Sequence, residues 1–234
     1  MDNRTGQMKK ISIVIPALNE EQGIEGTIKA IPEDELKRMG YEVQVLVVDN
    51  GSDDRTGELA RKAGAEVILE SKRGYGRAFK AGFARATGDI IATADADSTY
   101  PIEDIPKLVQ ILEAEKLDFL TTNRFALMEK DAMSFRNKVG NNILSLTMRL
   151  LFRLNIKDSQ SGMWCFRRDL LNQLVLSSGT PFSQELKIEA CHFAQCRWRE
   201  VSITYRARSG KAKLGGWKAG YGNLLHLLKK RIAR

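Results

Sequence analysis

The sequence has no apolar run approaching the roughly 20 residues that a bilayer-spanning helix requires. Its longest greasy stretch, Ile143 to Leu154, is interrupted by Arg149 and Arg153, so no transmembrane helix is expected. The opening Met1 to Lys10 is polar and offers no apolar segment for a secretion signal. Only three cysteines occur, Cys165, Cys191 and Cys196, and without an export signal they are expected to be reduced thiols of a cytoplasmic protein. Cys191, His192 and Cys196 make an incomplete zinc set on a helical pattern and read as packing. No Gly-x4-Gly-Lys-Ser/Thr run exists, which removes a P-loop kinase. Gly74-x-Gly76 lacks a third glycine at Phe79, so it makes no dinucleotide fingerprint. Internal repeats and low-complexity linkers are also missing.

What is present is an ordinary folded composition. Of 234 residues, 43% are apolar and 28% charged, enough for one good-sized core. The net charge of +8 is uneven. Arg197 to Arg234 holds 11 Lys/Arg against Glu200 alone, whereas the first 196 residues hold 26 basic and 28 acidic residues. A basic tail can meet nucleic acid, an anionic membrane or a phosphorylated ligand, and charge alone does not choose among them.

The first half alternates short apolar runs with helical patterns. Strands are predicted at Ile11–Ile15, Val43–Val48, Glu66–Leu69, Asp89–Ala94 and Phe119–Thr121. Helices are predicted at Glu20–Ile31, after Asp53 or Asp54 as far as Gly64, at Gly76–Ala86 and at Asp104–Glu115. Strands without polar alternation, separated by helices, imply an α/β fold: a mostly parallel sheet covered on both faces, with ligands at the carboxyl ends of its strands. Pro16–Glu20, Asp49–Asp54 and Asp95–Thr99 then share one rim. The second half predicts a helix over Ser134–Leu154, with Phe135, Val139, Ile143, Leu146, Leu150 and Leu154 at helical spacing. Strands Met163–Phe166 and Val201–Tyr205 flank a helix from Ser183 to Cys196, and a basic loop, Arg206–Gly216, leads into an amphipathic helix, Trp217–Ile232.

Asp95-Ala96-Asp97 is the sharpest chemical feature. Two carboxylates at a strand's exit repel each other unless a cation joins them. Mg²⁺ or Mn²⁺, which prefers carboxylate, water and phosphate oxygens, suits such a pair beside a nucleoside diphosphate. An Asp-rich solvated turn is the plainer alternative. The surrounding motifs bear on this choice. Pro16-Ala17-Leu18-Asn19-Glu20-Glu21 and Val47-Val48-Asp49-Asn50-Gly51-Ser52-Asp53-Asp54 resemble the opening motifs of family 2 glycosyltransferases with the GT-A fold. Gly74-Tyr75-Gly76-Arg77-Ala78 and the Asp-Ala-Asp follow in the expected order. Asp158-Ser159-Gln160-Ser161-Gly162-Met163 and Arg208-Ser209-Gly210-Lys211-Ala212-Lys213-Leu214 resemble later motifs of dolichyl-phosphate mannose and glucose synthases.

The resemblance, spanning roughly Ile11 to Leu214, implies a metal-dependent, inverting polyprenyl-phosphate hexosyltransferase using GDP-mannose, UDP-glucose or UDP-N-acetylglucosamine at the cytoplasmic membrane face. It implies a polar extension over 1–10, a transferase domain over 11–216 and a basic amphipathic helix over 217–234. Within the domain, 11–122 would form the nucleotide-sugar half and 123–216 the acceptor half. Pro16, Ala17, Glu20 and Val47 would line the nucleoside pocket, and Asp49 would accept hydrogen bonds from the base. Asp95, Ala96, Asp97 and Thr99 would serve the ribose, the diphosphate and Mg²⁺ or Mn²⁺. Thr99 stands where mannose synthases carry Gln, and Ala212 replaces a Ser of the family loop.

Arg124, Arg136, Arg208 and Lys213 fall where the family holds phosphate, with surface solvation as their bland alternative. Glu185 sits where the family places an acidic residue near the acceptor. It reads equally as a helix-terminal carboxylate or as the base that a hydroxyl acceptor would need. The rival to a lipid phosphate is thus a soluble or cell-surface glycan. A nucleic-acid partner is not expected, given the acidic balance of the first 196 residues. The terminal helix suits either its own core or an anionic bilayer.

Overall fold

The apolar segment Ile11 to Ile15, broken only by Ser12, lies in an interior strand of the sheet, where both faces need covering. The computed structural model describes residues 8–177, 179, 181–207 and 216–232. Strand β1 (Lys9–Ala17) runs parallel to β2 (Tyr41–Asp49) on one side and to β4 (Ile90–Thr93) on the other, and β3 (Glu66–Leu69) extends the sheet beyond β2. Past β4 the direction reverses at β6 (Trp164–Arg167), which pairs antiparallel with both β4 and β5 (Phe119–Met128). Strand β7 (Trp198–Tyr205) closes the order β3-β2-β1-β4-β6-β5-β7, parallel to β5. The expected mostly parallel α/β sheet is therefore what forms.

Alternate side chains explain why these strands read as largely apolar runs without polar alternation. Ile11, Ile13 and Ile15 belong to one core cluster, with α1 (Ile24–Lys29), α2 (Glu33–Arg38) and α5 (Ile105–Ala114). Val14, Leu46, Val48 and Ile91 belong to the other, beneath α4 (Tyr75–Arg85), α6 (Phe135–Phe152) and α7 (Phe182–Ile188). Gly82 of α4 sets the closeness of that packing, since a Cβ there would lie 2.4 Å from Val14 Cγ1. Helix α3 (Thr56–Lys62) lies between β2 and β3, and α8 (Gly216–Ile232) packs beside α6.

Several boundaries differ from those expected. The α-helical part of the Glu20–Ile31 segment begins at Ile24, because Glu20–Gly23 first turn against the neighbouring loop. Helix α2 has no counterpart in the sequence-based reading; it buries only Leu36. Strand β5 runs to Met128, well past Thr121. Helix α7 gives way at Glu189 to a π-helical turn, Glu189–Phe193. Helix α6 is capped by Ser134, whose side chain accepts from the Asn137 N–H, as a helix over this segment requires. Its buried side chains, however, are Leu144, Ser145, Met148 and Phe152. Of the apolar positions named above for this segment, only Leu154 is buried; Phe135, Val139, Ile143, Leu146 and Leu150 are exposed.

Candidate active site

Strand register alone brings the first two motifs together, because Ala17 ends β1 directly beside Asp49 at the end of β2. Their loops are then stitched to each other. Asn19 takes a left-handed backbone (φ 52°), donates its N–H to Ser52 Oγ at 3.0 Å and accepts from the Asp53 N–H at 2.8 Å through Oδ1. The Glu20 N–H donates to Thr56 Oγ1 at 2.7 Å. Asp49 accepts from the Ser52 N–H at 2.9 Å, and its other oxygen lies where a Cβ on Gly57 would come within 2.6 Å. That glycine lets the carboxylate sit against the start of α3. Val47, expected to line the pocket, is fully buried in β2 as a member of the hydrophobic core. Asn50 binds the next loop, donating to the Glu70 and Lys72 carbonyls and accepting from the Gly74 N–H at 2.7 Å.

The Asp-Ala-Asp segment follows β4 on the same rim. Asp97 is almost buried, and its Oδ1 accepts from the Thr99 N–H at 3.2 Å and the Thr99 hydroxyl at 2.7 Å. Ser98 between them has φ 61°, so the turn is tight enough to need a left-handed residue. Thr99 thus orients Asp97. Ala96 is buried, and its carbonyl accepts from Thr27 Oγ1 at 3.1 Å.

Asp95 has a partner that sequence reasoning did not single out. The Tyr75 hydroxyl, from the first turn of α4, donates to its Oδ1 at 3.3 Å. Burial, then the charge of Asp95, holds the Tyr75 hydroxyl well above the usual phenol range, so it stays a donor at neutral pH. The room for this hydroxyl comes from Gly162, where a Cβ would sit 2.3 Å from it. The Gly162 N–H donates to the Tyr100 hydroxyl at 2.8 Å, and its carbonyl accepts from Thr93 Oγ1 of β4 at 2.8 Å. The motif at 158–163 is thereby locked onto the aspartate rim.

That later motif is itself built around a buried charge pair. Arg124 of β5 grips Asp158 with Nε at 2.7 Å and Nη2 at 2.9 Å, its backbone N–H adds a third contact, and its guanidinium lies 5.2 Å from the centre of the Tyr205 ring. Burial opposes the Asp158 charge, but Arg124 outweighs it and keeps the carboxyl below its ordinary range. Fully buried Lys187 donates from Nζ to the Asp158 and Ser161 carbonyls, at 2.6 and 3.1 Å. Burial pushes its ammonium down to about 8, against partial restoration by Asp158 and Glu200.

The remaining site candidates fall in three places. Arg136 is exposed in the first turn of α6. Glu185 is 2% exposed; its Oε2 accepts from the Ser177 N–H and hydroxyl, and its Oε1 from Lys230 Nζ of α8 at 3.1 Å. Its acceptor positions are thus engaged by the 174–177 segment and α8. Arg208 and Lys213 lie outside the described residues. Among the described residues no group of three or more His, Cys, Asp or Glu side chains is placed to enclose a metal ion. Two hard carboxylates at a strand's exit still match what Mg²⁺ or Mn²⁺ takes beside a nucleotide, since these ions keep waters and bind phosphate oxygens as well.

Residues 12–175 match the family described as glycosyl transferase family 2. The chain belongs to this family. A dolichyl-phosphate hexose transferase of Haloferax volcanii is 32% identical over 210 residues, covering 90% of this chain and 89% of the relative. The low-salt glycan biosynthesis hexosyltransferase Agl6 of the same organism is 34% identical over 93% of this chain, which spans only 53% of that longer protein. An undecaprenyl-phosphate 4-deoxy-4-formamido-L-arabinose transferase of Pectobacterium carotovorum is 31% identical over 72% of this chain and 50% of its own length. Among solved structures, glucosyl-3-phosphoglycerate synthase of Mycobacterium tuberculosis, in complex with Mn²⁺, UDP and glucosyl-3-phosphoglycerate, superposes with a TM-score of 0.76 at 24% identity. It covers 95% of this chain and 80% of its own, and establishes the shared GT-A fold. This family 2 transferase therefore carries its aspartate rim on the expected sheet, and no helix among its described residues is long and apolar enough to cross a membrane.

Proposed function

We propose that this transferase moves a hexose from a nucleoside diphosphate sugar to a polyprenyl phosphate, with inversion at the anomeric carbon. The observation that carries the reading is the junction at Tyr75. One hydroxyl donates to Asp95 of the rim and packs against Gly162, in the 158–163 segment that resembles a motif of dolichyl-phosphate synthases. The relative matched over 89% of its length is named as a dolichyl-phosphate hexose transferase, which supports the same acceptor.

Asp95 and Asp97 would hold Mg²⁺ or Mn²⁺, which when bound supplies positive charge to the departing diphosphate. The chain's own residues set up the rest. Thr99 fixes the Asp97 carboxylate, and Tyr75 fixes Asp95 while remaining protonated. Pro16, Ala17, Glu20 and Asp49 line the nucleoside end of the rim, with Asp49 accepting from the base.

An acceptor phosphate oxygen attacks the anomeric carbon as the bond from that carbon to the donor's diphosphate oxygen breaks, and the nucleoside diphosphate leaves with that electron pair. A phosphate monoester has a second pKa of about 6, so the nucleophile is already ionised and needs no base. It needs cations, the role assigned to Arg136, Arg208 and Lys213. Arg124 holds Asp158 and shapes the acceptor segment from below. Glu185, with its oxygens already engaged, is not required as a base. The lipid acceptor places the reaction at a bilayer surface.

The test is a screen of GDP-mannose, UDP-glucose and UDP-N-acetylglucosamine against a short polyprenyl phosphate with Mn²⁺. Labelled hexose should appear on the lipid with one of these donors, and Arg208→Ala should raise the acceptor KM far more than the donor Kd. Transfer to a free glycan hydroxyl, indifferent to the lipid phosphate, would overturn the reading.

A further inference from the structure

We propose that the outer faces of α6 and α8 together form one docking face for an anionic lipid bilayer. The choice of occupant rests on the polyprenyl-phosphate reading above; the face itself rests on the helices.

Helix α6 is apolar on both sides. Leu144, Met148 and Phe152 point into the core, whereas Phe135, Val139, Ile143, Leu146 and Leu150 recur every three or four residues along the outside. Phe135 is 82% exposed and Leu150 72%. A helix that needed only one partner would carry polar residues on that outer stripe. Helix α8 repeats the pattern beside it. Asn223 and Leu227 face inward, and Tyr221, Leu225, Leu228 and Ile232 lie outward at spacings of four, three and four. The two helices pack side by side over the same core cluster, each with an apolar stripe left exposed. Exposed apolar surface on this scale marks an interaction site.

Charge identifies the occupant. Neither helix contains an aspartate or glutamate, while α6 carries Arg136, Lys138 and Arg149, and α8 carries Lys218, Lys229, Lys230 and Arg231. Lys230 turns inward to Glu185 and Glu189; Lys229 and Arg231 are exposed beside the apolar stripe. Apolar stripes edged by cations fit the boundary between acyl chains and anionic headgroups. A second copy on the same face would set this uniformly basic surface against itself across a two-fold axis. The inner faces supply the link to chemistry. Ser145 of α6 accepts from the Ser159 N–H at 2.9 Å, and Asn223 of α8 donates to Gln160 Oε1 at 3.0 Å. Both helices therefore grip the 158–162 segment from one side and leave the other bare, which brings a membrane-embedded acceptor to its motif.

The experiment is flotation of the full chain with phosphatidylglycerol vesicles and with phosphatidylcholine vesicles, alongside transfer to a short-chain polyprenyl phosphate in solution. The wild type should float with the anionic vesicles and bind the neutral ones much more weakly. Phe135→Ser/Leu150→Ser should reduce anionic binding at least about tenfold, because two large exposed side chains leave the interface. Leu69→Ser, an exposed position at the far edge of the sheet, should float like the wild type. Undiminished flotation of the double variant overturns the proposal, as does a wild-type dimer that the double variant dissolves. Retained solution transfer without vesicle binding sinks the face alone. Vesicle binding without transfer to any polyprenyl phosphate sinks the reaction and leaves the face standing.

Discussion

Replacing Arg124 by methionine tests the buried pair that it forms with Asp158. The substitution keeps much of the side-chain bulk and removes both guanidinium contacts to Asp158, which is itself 0% exposed. The direct donors that remain to that carboxylate are the backbone N–H groups of residue 124 and Gln160, with the Lys187 ammonium, held on the Asp158 carbonyl, as the one nearby cation that still opposes the charge. Removing one member of a buried, hydrogen-bonded ion pair costs about 3–5 kcal/mol, mostly through the charge left behind. Against a typical total stability of about 5–15 kcal/mol, that is a large loss.

Arg124→Met/Asp158→Asn removes both charges while an amide oxygen can still accept from the same N–H groups, so it should recover at least half of the deficit. The pH dependence has a definite sign. Asp158 is held below its ordinary value in the folded wild type, so its stabilisation is present above the unfolded pKa and is lost as pH falls through the folded one. In Arg124→Met burial is opposed only by the weaker influence of Lys187 and the backbone donors, so the carboxyl rises from its wild-type value, and the gap between variant and wild type should narrow on acidification. Urea unfolding followed by circular dichroism at neutral and mildly acidic pH measures all three quantities. A cost under about 1 kcal/mol, or a double variant no better than the single one, would refute the assignment of a buried, mutually neutralising pair.

Three further outcomes follow from the same geometry. Lys187 is pushed down to about 8 from 10.5, so its stabilisation is complete only above the unfolded value and is lost as pH falls through 8. Wild-type stability relative to Lys187→Met should therefore rise by about 2 kcal/mol between roughly pH 7 and 9.5, and a flat difference in urea titrations would contradict this. Gly162→Ala forces a Cβ to within 2.3 Å of the Tyr75 hydroxyl, and overpacking of this kind costs about 1–3 kcal/mol. Adding Tyr75→Phe removes the clashing oxygen, so thermal unfolding of the pair should show recovery, and its absence would count against the close approach. Gly82→Ala should cost a similar amount through Val14, with nucleotide affinity measured by calorimetry unchanged.

The first half of the chain was legible because its physics is local. Strands buried on both faces must be largely apolar, and Ile11–Ile15 and Val43–Val48 are, each broken by one polar residue, Ser12 and Gln44, which hydrogen-bond to each other. Asp49 of the rim follows the second segment at once, and Asn19 lies four residues past the first. Helix α2 was missed because six residues burying one leucine leave no periodicity to detect. The length of β5 was hidden for a different reason. Thr122, Asn123 and Arg124 are polar yet buried, and the partners of Thr122 and Arg124, Ser161 and Asp158, lie more than thirty residues away. The role of Tyr75 depends on Gly162 in the same way. In α6 the helical period was correctly visible, but with apolar residues on two sides the stripe that stands out in the sequence is the one facing solvent. Glu185 looked equally like a base or a helix-end carboxylate, and only the approach of Ser177 and of Lys230 from α8 shows how its oxygens are used.

Manganese binding by Asp97→Asn, followed by electron paramagnetic resonance with GDP or UDP present and read beside hexose transfer to a polyprenyl phosphate, tests the centre of this account. Wild-type protein should take up one Mn²⁺ with the nucleotide and turn over. The variant should lose the ion and at least about a hundredfold in turnover while unfolding at an unchanged temperature, since removing a group that stabilises developing charge costs on that order. A variant that binds manganese and transfers hexose like the wild type would contradict the assignment of the aspartate rim.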